Sequence, residues 1–133
     1  ADRLAYATKV GAKDLYLLGG DVLAHPRVLE LLCMAAAAVP GRVTVESALL
    51  GPVDARALKE AGLSGVAVEV LVGHGRPTAD ALTRKAAALA ELEAVGVTAG
   101  AKLVVGKEDP DAETWARTWC EAVGVEVWEV VRA

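Results

Sequence analysis

Charged residues that could do chemistry lie inside apolar runs of this sequence. Glu46, Glu69 and Lys102 each stand within a stretch rich in Val, Leu or Ala. Burying a charge without a partner costs free energy, so such side chains are normally paired with an opposite charge or used to bind a ligand. A Glu–Lys pair would satisfy the burial, whereas a buried Lys102 with a lowered pKa would suit a base or a Schiff-base lysine. The residues alone leave both uses open.

A second group of candidates follows the first apolar run. Gly19 and Gly20 would let a ligand approach the backbone closely and would leave amide groups free to donate. Asp21 beside them could accept hydrogen bonds from an ammonium group or a ribose. The alternative for this short GGD sequence is a tight turn with Asp21 exposed to solvent.

The remaining polar candidates are isolated. His25 and His74 lie in loop sequences, where a lone histidine is more often solvated than a ligand or a base. No group of His, Cys and Asp has the spacing of a metal site, and neither a dinucleotide glycine fingerprint nor a P-loop is present. Cys33 and Cys120 are the only cysteines, and we expect both to be free thiols.

Alternating helices and strands must position these residues. Ala-rich stretches end at a glycine and are followed by Val- or Leu-rich runs, a pattern typical of helix-to-strand joints. The glycines are Gly11, Gly41, Gly62, Gly96 and Gly124. The predicted helices cover 2–10, 26–38, 53–61, 78–95 and 110–122, and the predicted strands cover 14–19, 42–47, 65–72, 97–105 and 125–131. Pro26 and Pro110 are predicted in first helical turns, with Asp109 as an N-cap.

The two faces of the strands distinguish a barrel from a flat sheet. In 65–72 and in two other strands, one face is wholly apolar and the other carries small, polar or charged residues. A doubly wound sheet buries both faces under helices, whereas a barrel packs helices on the outside only. We therefore predict one α/β domain over 1–133, with parallel (βα) repeats forming an open partial TIM-type barrel of about five strands in the order 1-2-3-4-5. Glu46, Glu69 and Lys102 would face its concave side; the alternative is that they occupy edge positions of an ordinary sheet.

Composition excludes several classes of function. With 133 residues, 54% of them hydrophobic, the chain can bury a substantial core. A net charge of −4 and the absence of a Lys/Arg cluster argue against nucleic-acid binding. No apolar stretch approaches the roughly 20 residues that span a bilayer. Since residues 1–20 do not resemble a signal peptide, we expect a cytoplasmic protein.

The tryptophans of the last predicted helix bear on partners. Trp115 and Trp119 are four residues apart and therefore share a helix face, which we expect to pack onto the sheet. The alternative is an interface. An incomplete barrel must cover its open edge, either with a partner segment or by forming a homo-oligomer.

Several short motifs resemble those of the radical S-adenosylmethionine (radical SAM) superfamily. LYLLGGDVLAHPRVLELL (15–32) is similar to the second strand and following helix of that family, where a GGE-type motif ends the strand. VTVES (43–47) resembles the third strand, ALKEAGLSGVAVEV (57–70) the fourth, and VTAGAKLVVG (97–106) the fifth. The order and spacing of these motifs over residues 2–131 carry the resemblance.

The resemblance implies S-adenosylmethionine as a cofactor. It assigns the GGD residues to the methionine amino group, the residues of the second and third strands to the ribose, the methionine carboxylate or the substrate, and a glycine of the fourth strand to the adenine. The implied cofactor-binding residues are Gly19, Gly20, Asp21, Glu46, Ser47, Glu69 and Gly100, with Lys102, His25 and His74 as further candidates that would face the substrate.

The sequence also departs from the family pattern. The CxxxCxxC loop that holds the 4Fe–4S cluster in this family is absent, and two distant cysteines cannot replace it. Asp21 replaces the commoner Glu, and Ala48 stands where Asn is frequent. The resemblance therefore implies the cofactor-binding portion of a radical SAM core, with any cluster ligated by a segment outside this sequence. The alternatives are another barrel-type enzyme, a phosphate-binding α/β domain, or a non-catalytic interaction module.

Overall fold

The computed structural model describes residues 2–18, 21–72 and 76–132. Its helices are α1 (Asp2–Lys9), α2 (Val28–Ala38), α3 (Ala55–Ala61), α4 (Ala79–Ala94) and α5 (Ala112–Val123), with a short 3-10 helix at Val22–Ala24. Its strands are β1 (Leu15–Leu17), β2 (Val43–Ser47), β3 (Gly65–Val72), β4 (Thr98–Val105) and β5 (Glu126–Arg132). Every predicted helix and strand is present, with bounds that agree to within three residues.

The strands form one parallel sheet in the order β1-β2-β3-β4-β5. The sheet curls into a half-barrel in which helices alternate with strands. This arrangement confirms the predicted open partial barrel, and it excludes a doubly wound sheet because no strand returns to the other side of β1.

The helices pack against the apolar face that the strand alternation predicts. The core residues on that face include Val43, Val45, Val66, Val68, Ala101 and Leu103, and the helices contribute Ala7, Leu32, Leu58, Leu92 and Ala116. Fully burying one Val or Leu side chain contributes about 1.5–3 kcal/mol. Trp115 and Trp119 pack against this core, as predicted.

Four of the five predicted glycine joints adopt the left-handed conformation. Gly11, Gly62, Gly96 and Gly124 have positive φ angles. Gly41 does not, because α2 already ends in the extended Val39, just before Pro40. Gly41 is instead required by close packing, since a Cβ there would overlap the Asp14 carboxylate.

The prediction that first-turn prolines open two of the helices is wrong by two residues. Val28 begins α2 and Ala112 begins α5, so both prolines precede their helix. Asp109 is not the N-cap of α5, since Asp111 occupies that position. The Asp109 carboxylate accepts two hydrogen bonds from the Arg76 guanidinium at 2.8 and 3.1 Å. Within the part of the chain that the structure describes, no helix combines the length and the apolar character needed to cross a bilayer.

The cysteines are both free. Cys33 is exposed on α2 and Cys120 is buried on α5, as expected for unpaired thiols.

Candidate functional site

The carboxyl ends of β1 and β2 carry the first polar cluster. Ser47, the last residue of β2, is buried, and its hydroxyl donates to the Asp21 carboxylate at 2.6 Å. The same hydroxyl oxygen accepts from the backbone N–H of Leu49 at 3.0 Å. Asp21 is therefore held in place and half-buried, unlike an exposed turn residue.

A small cleft opens beside this pair. It has a volume of about 60 Å³ and is lined by Asp21, Leu23, Ala24, Ser47 and the loop from Leu49 to Val53. Leu49 is buried in this loop with a φ of 51°, a left-handed conformation that costs about 1–3 kcal/mol for a side chain of this kind. The hydrogen bond from its N–H to Ser47 helps to hold that conformation. The cleft is large enough for about two waters or an ammonium group, with a carboxylate in its wall.

Lys85 of α4 anchors the same strand ends from the helix side. Its ammonium donates to the backbone carbonyl oxygens of Ala48 and Glu69, the second at 3.0 Å. Burial of the side chain lowers the pKa of Lys85, and the charges of Glu69 and Asp21 partly oppose that effect. Sequence reasoning missed this residue, although its position in the buried stripe of α4 was a usable signal. The other buried residues of that stripe are Ala81, Ala88, Leu89 and Leu92.

The concave face carries the second polar cluster, centred on an ion pair between β2 and β4. The Lys102 ammonium lies 2.6 Å from the Glu46 carboxylate, and the two side chains are 21% and 7% exposed. Ala67 of β3 lies between them, in register with Glu46 on one side and with Gly100 on the other. Its methyl group leaves room for the long Lys102 side chain to cross β3. Of the two uses that the sequence left open for Lys102, the structure shows the ion pair, with Glu46 as its partner.

This pair changes the expected ionisation of Lys102. The hydrogen bond to the Glu46 carboxylate raises the pKa of Lys102, and it outweighs the opposing effect of burial. The lowered pKa that a base or Schiff-base lysine would need is therefore not found at Lys102. The reason is that Lys102 meets a carboxylate rather than an apolar pocket.

Two further carboxylates flank Lys102 in register. Glu69 of β3 is its partner on one side and Glu129 of β5 its partner on the other. The pairing register shifts at this level on both sides of β4. In β3 the shift lies between Glu69 and Leu71, and in β5 it lies between Val127 and Glu129. Bulges of this kind re-aim side chains and are common next to functional sites.

The irregularity in β5 decides where Trp128 lies. Ala101 pairs with Val127 and Lys102 pairs with Glu129, so Trp128 is the extra residue between them. Its indole packs directly on Gly100, where a Cβ would overlap the ring. Gly100 is therefore buried beneath a tryptophan, and Trp128 itself remains 39% exposed.

Tyr16 shows that the curvature brings the outer strands together. Partial burial raises the pKa of the Tyr16 phenol, followed by the effect of the Glu46 carboxylate, while the Lys102 charge lowers it. Glu129 and Glu69 also raise this pKa. Glu129 on β5 and Tyr16 on β1 are separated by three strands in the sheet, so only a strongly curled sheet lets one act on the other.

Three of the predicted site residues, Gly19, Gly20 and His74, lie outside the described residues. His25 is exposed, and its Nδ1 accepts a hydrogen bond from the backbone N–H of Arg27 at 3.1 Å, a contact within its own turn. The other predicted residues fall into two clusters on different faces of β2. Asp21 and Ser47 lie at the strand ends, and the concave face holds Glu46, Glu69, Gly100 and Lys102.

The fold matches that of a known protein. This chain has the fold of part of SuiB. Three crystal structures of SuiB from Streptococcus suis match 98% of this chain at 13% sequence identity, with TM-scores of 0.71, 0.72 and 0.71. One is of SuiB, one of SuiB bound to the precursor peptide SuiA, and one of SuiB bound to S-adenosylmethionine.

This chain spans about a third of SuiB, with coverage of 32%, 31% and 32% in the three structures. At 13% identity, the likeness is one of fold. No protein-family model matches the sequence, and no curated protein matches it.

Proposed function

We propose that this chain forms the S-adenosylmethionine-binding portion of a radical SAM-type enzyme. The observation that carries the proposal is the Asp21–Ser47 pair, which lies at the carboxyl ends of β1 and β2. Ligands of parallel α/β folds bind at this edge. The resemblance assigns the same residues to the methionine part of the cofactor, and the fold shared with SuiB, which binds S-adenosylmethionine, gives independent support.

In this proposal Asp21 accepts hydrogen bonds from the ammonium group of the methionine moiety. The Ser47 hydroxyl donates to one oxygen of the Asp21 carboxylate, so it fixes the direction in which the carboxylate can accept. Lys85, from the helix side, donates to the carbonyl of Ala48 and so holds the backbone that follows Ser47. The cofactor would thus meet a carboxylate that is already oriented before binding.

Two residues of the concave face, Glu46 and Gly100, bear on the ribose and adenine positions that the resemblance implies. Glu46 is engaged by Lys102, so a ribose hydroxyl near Glu46 would share that carboxylate with the ammonium. Gly100 is covered by the Trp128 indole, so an adenine cannot rest on this glycine, and we assign the adenine to no residue. Only the second of these features departs from the assignment that the resemblance implies.

The described residues do not fit a 4Fe–4S cluster. Cys33 and Cys120 lie on two different helices, one exposed and one buried, and the described part of the chain holds no group of three His, Cys, Asp or Glu arranged for a metal. We therefore assign S-adenosylmethionine binding to Asp21 and Ser47 and assign no radical step to the described residues.

A Schiff-base lysine enzyme is the less favoured alternative. A nucleophilic lysine must be neutral, whereas Glu46 raises the pKa of Lys102 and holds it as an ammonium. This pairing argues for an electrostatic or structural role of Lys102.

Calorimetric titration with S-adenosylmethionine tests the proposal. Asp21→Asn should weaken binding about tenfold or more, since a hydrogen bond to a charged group contributes about 1.5–3 kcal/mol. Ser47→Ala should weaken it less, because it removes the orientation of the carboxylate and leaves the charge. Asp80→Asn, an exposed position in the first turn of α4, is the matched control and should bind like the wild type.

Two results would contradict the proposal. Absence of binding by the wild type at millimolar cofactor would leave only a likeness of fold. Equal affinities of the wild type and Asp21→Asn would place the site elsewhere.

A further inference from the structure

Trp128 presents an indole face to the concave side of the sheet. Its neighbour Val127 packs against the core, and Glu129 lies in register with Lys102. Because Trp128 is the extra residue between them, it and Glu129 both lie on the concave side. The indole is clamped on one face by the backbone at Gly100 and is 39% exposed. A large aromatic ring held in this way offers a fixed, partly exposed surface against which a ligand can pack, and we call it the platform.

The charges around this platform are unbalanced. Lys102 is already neutralised by Glu46 at 2.6 Å. Glu69 and Glu129 lie on either side of Lys102, and neither forms an ion pair with another residue of the described chain. With the Lys85 ammonium, which donates to the Glu69 carbonyl from the helix side, the group carries three carboxylates against two ammonium groups. The face that surrounds the indole is complementary to a cation.

We propose that Trp128 is the floor of a subsite for a positively charged group of the substrate, an ammonium or a guanidinium, with Glu129 and Glu69 as its counter-charges. An indole face attracts such groups through its quadrupole, most strongly when carboxylates stand nearby. The inference deepens the proposed function and rests on it for assigning the cation to the substrate.

The position of the subsite separates it from the cofactor ammonium. Gly100 is in register with Ala67 and Glu46, so it lies only one residue below Ser47 along the strand direction. The separation is across the sheet, because β3 lies between β2 and β4 and two inter-strand spacings amount to about 10 Å. A substrate cation over Trp128 and a cofactor ammonium at Asp21 can therefore be bound together.

Proton–nitrogen NMR of the full chain tests this subsite without the cofactor. The chain has three tryptophans, so its spectrum should contain three indole N–H signals, and Trp128→Phe identifies the one that belongs to Trp128. N-acetyl-lysine amide and N-acetyl-arginine amide should shift this signal saturably, in the millimolar range. N-acetyl-norleucine amide, which keeps the four side-chain carbons of the lysine probe and lacks its ammonium group, should leave it unmoved.

Charge variants separate the cation site from a merely apolar surface. Glu129→Gln should weaken lysine-amide binding roughly threefold to tenfold, since the lost contact is partly solvated. Glu93→Gln, an exposed position on α4, is the matched control and should leave binding unchanged. Both charge variants keep Trp128, and its signal is followed in them directly. The test therefore does not depend on whether Trp128→Phe folds.

Three outcomes would overturn the inference. They are equal shifts by the lysine and norleucine probes, unchanged affinity in Glu129→Gln, and displacement of the lysine probe by S-adenosylmethionine, which would assign the indole to the cofactor. Failure of the cofactor titration with intact lysine binding would overturn the proposed function and leave the cation subsite in place.

Discussion

Replacing Lys102 with Met removes the partner of a carboxylate that has little access to water. The Glu46 side chain is 7% exposed, and the ammonium lies 2.6 Å from it. Removing one member of a buried ion pair costs about 3–5 kcal/mol, because the other charge is left unpaired. Lys102 is itself 21% exposed, so some water can reach the vacated position and the lower end of this range applies. We expect Lys102→Met to lower the free energy of unfolding by about 3 kcal/mol.

The reverse change should cost less. In Glu46→Gln the ammonium remains in register with Glu69 and Glu129 and can reach solvent. We expect a loss of about 1 kcal/mol. The double variant should lose less than the sum of the two, with a coupling of roughly 1–2 kcal/mol, since the first change already removes the interaction that the second would break.

Urea unfolding followed by circular dichroism measures these differences. Thermal melts should agree, at roughly 4 °C per kcal/mol for a domain of this size. The control is Arg27→Met, which breaks an ion pair on α2 with side chains that are 72% and 62% exposed, and it should cost less than about 0.5 kcal/mol. If Lys102→Met costs no more than this control, or if the coupling is zero, the pair is not the closed contact on which the description of the concave face depends.

Two further predictions concern the pH dependence of Lys85 and Tyr16. Burial lowers the pKa of Lys85, so the folded state holds the proton less well than the unfolded state. The contribution of Lys85 to stability should therefore rise with pH toward 10.5. Lys85→Met should lack this rise and should lose about 2–3 kcal/mol at neutral pH, because the carbonyls of Ala48 and Glu69 lose their donor. A wild-type unfolding profile that is flat over this pH range would contradict the buried position. Because the pKa of Tyr16 is raised from 10.0, its stabilising contribution is present below that pH and lost above it. In Tyr6→Phe, Tyr16 is the only tyrosine, and tyrosinate absorbance should appear at a higher pH than in a free tyrosine. Adding Glu46→Gln should lower that pKa and adding Lys102→Met should raise it; the same titration in all three proteins would mean that the two charges do not reach the phenol.

The division into faces was predictable from sequence because side-chain alternation in a strand is local. A period of two places Val66 and Val68 on one face and Glu69 on the other, whatever lies elsewhere in the chain. The helix-to-strand joints were predictable for the same reason, since a glycine such as Gly62 sets its own φ. Parallel strands and their order followed from the short connections.

The helix starts show where local signals compete. Pro110 was predicted in the first turn of α5, but the helix begins at Ala112. The neighbouring Asp109 is bound to Arg76, which lies in the connection between β3 and α4. A tertiary contact therefore used the side chain that the sequence pattern assigned to a cap.

The sequence by itself placed Glu46 and Lys102 on the same face of nearby strands, because side-chain alternation is local, and it left open whether they pair or bind a ligand. Only the tertiary structure decided the rest of the candidate site. The bulge in β5 turned Trp128 onto Gly100, and the curl of the sheet brought Tyr16 within reach of charges three and four strands away. Bulges and curvature arise from the fit of whole strands to one another, so neither can be read from the residues of a single strand.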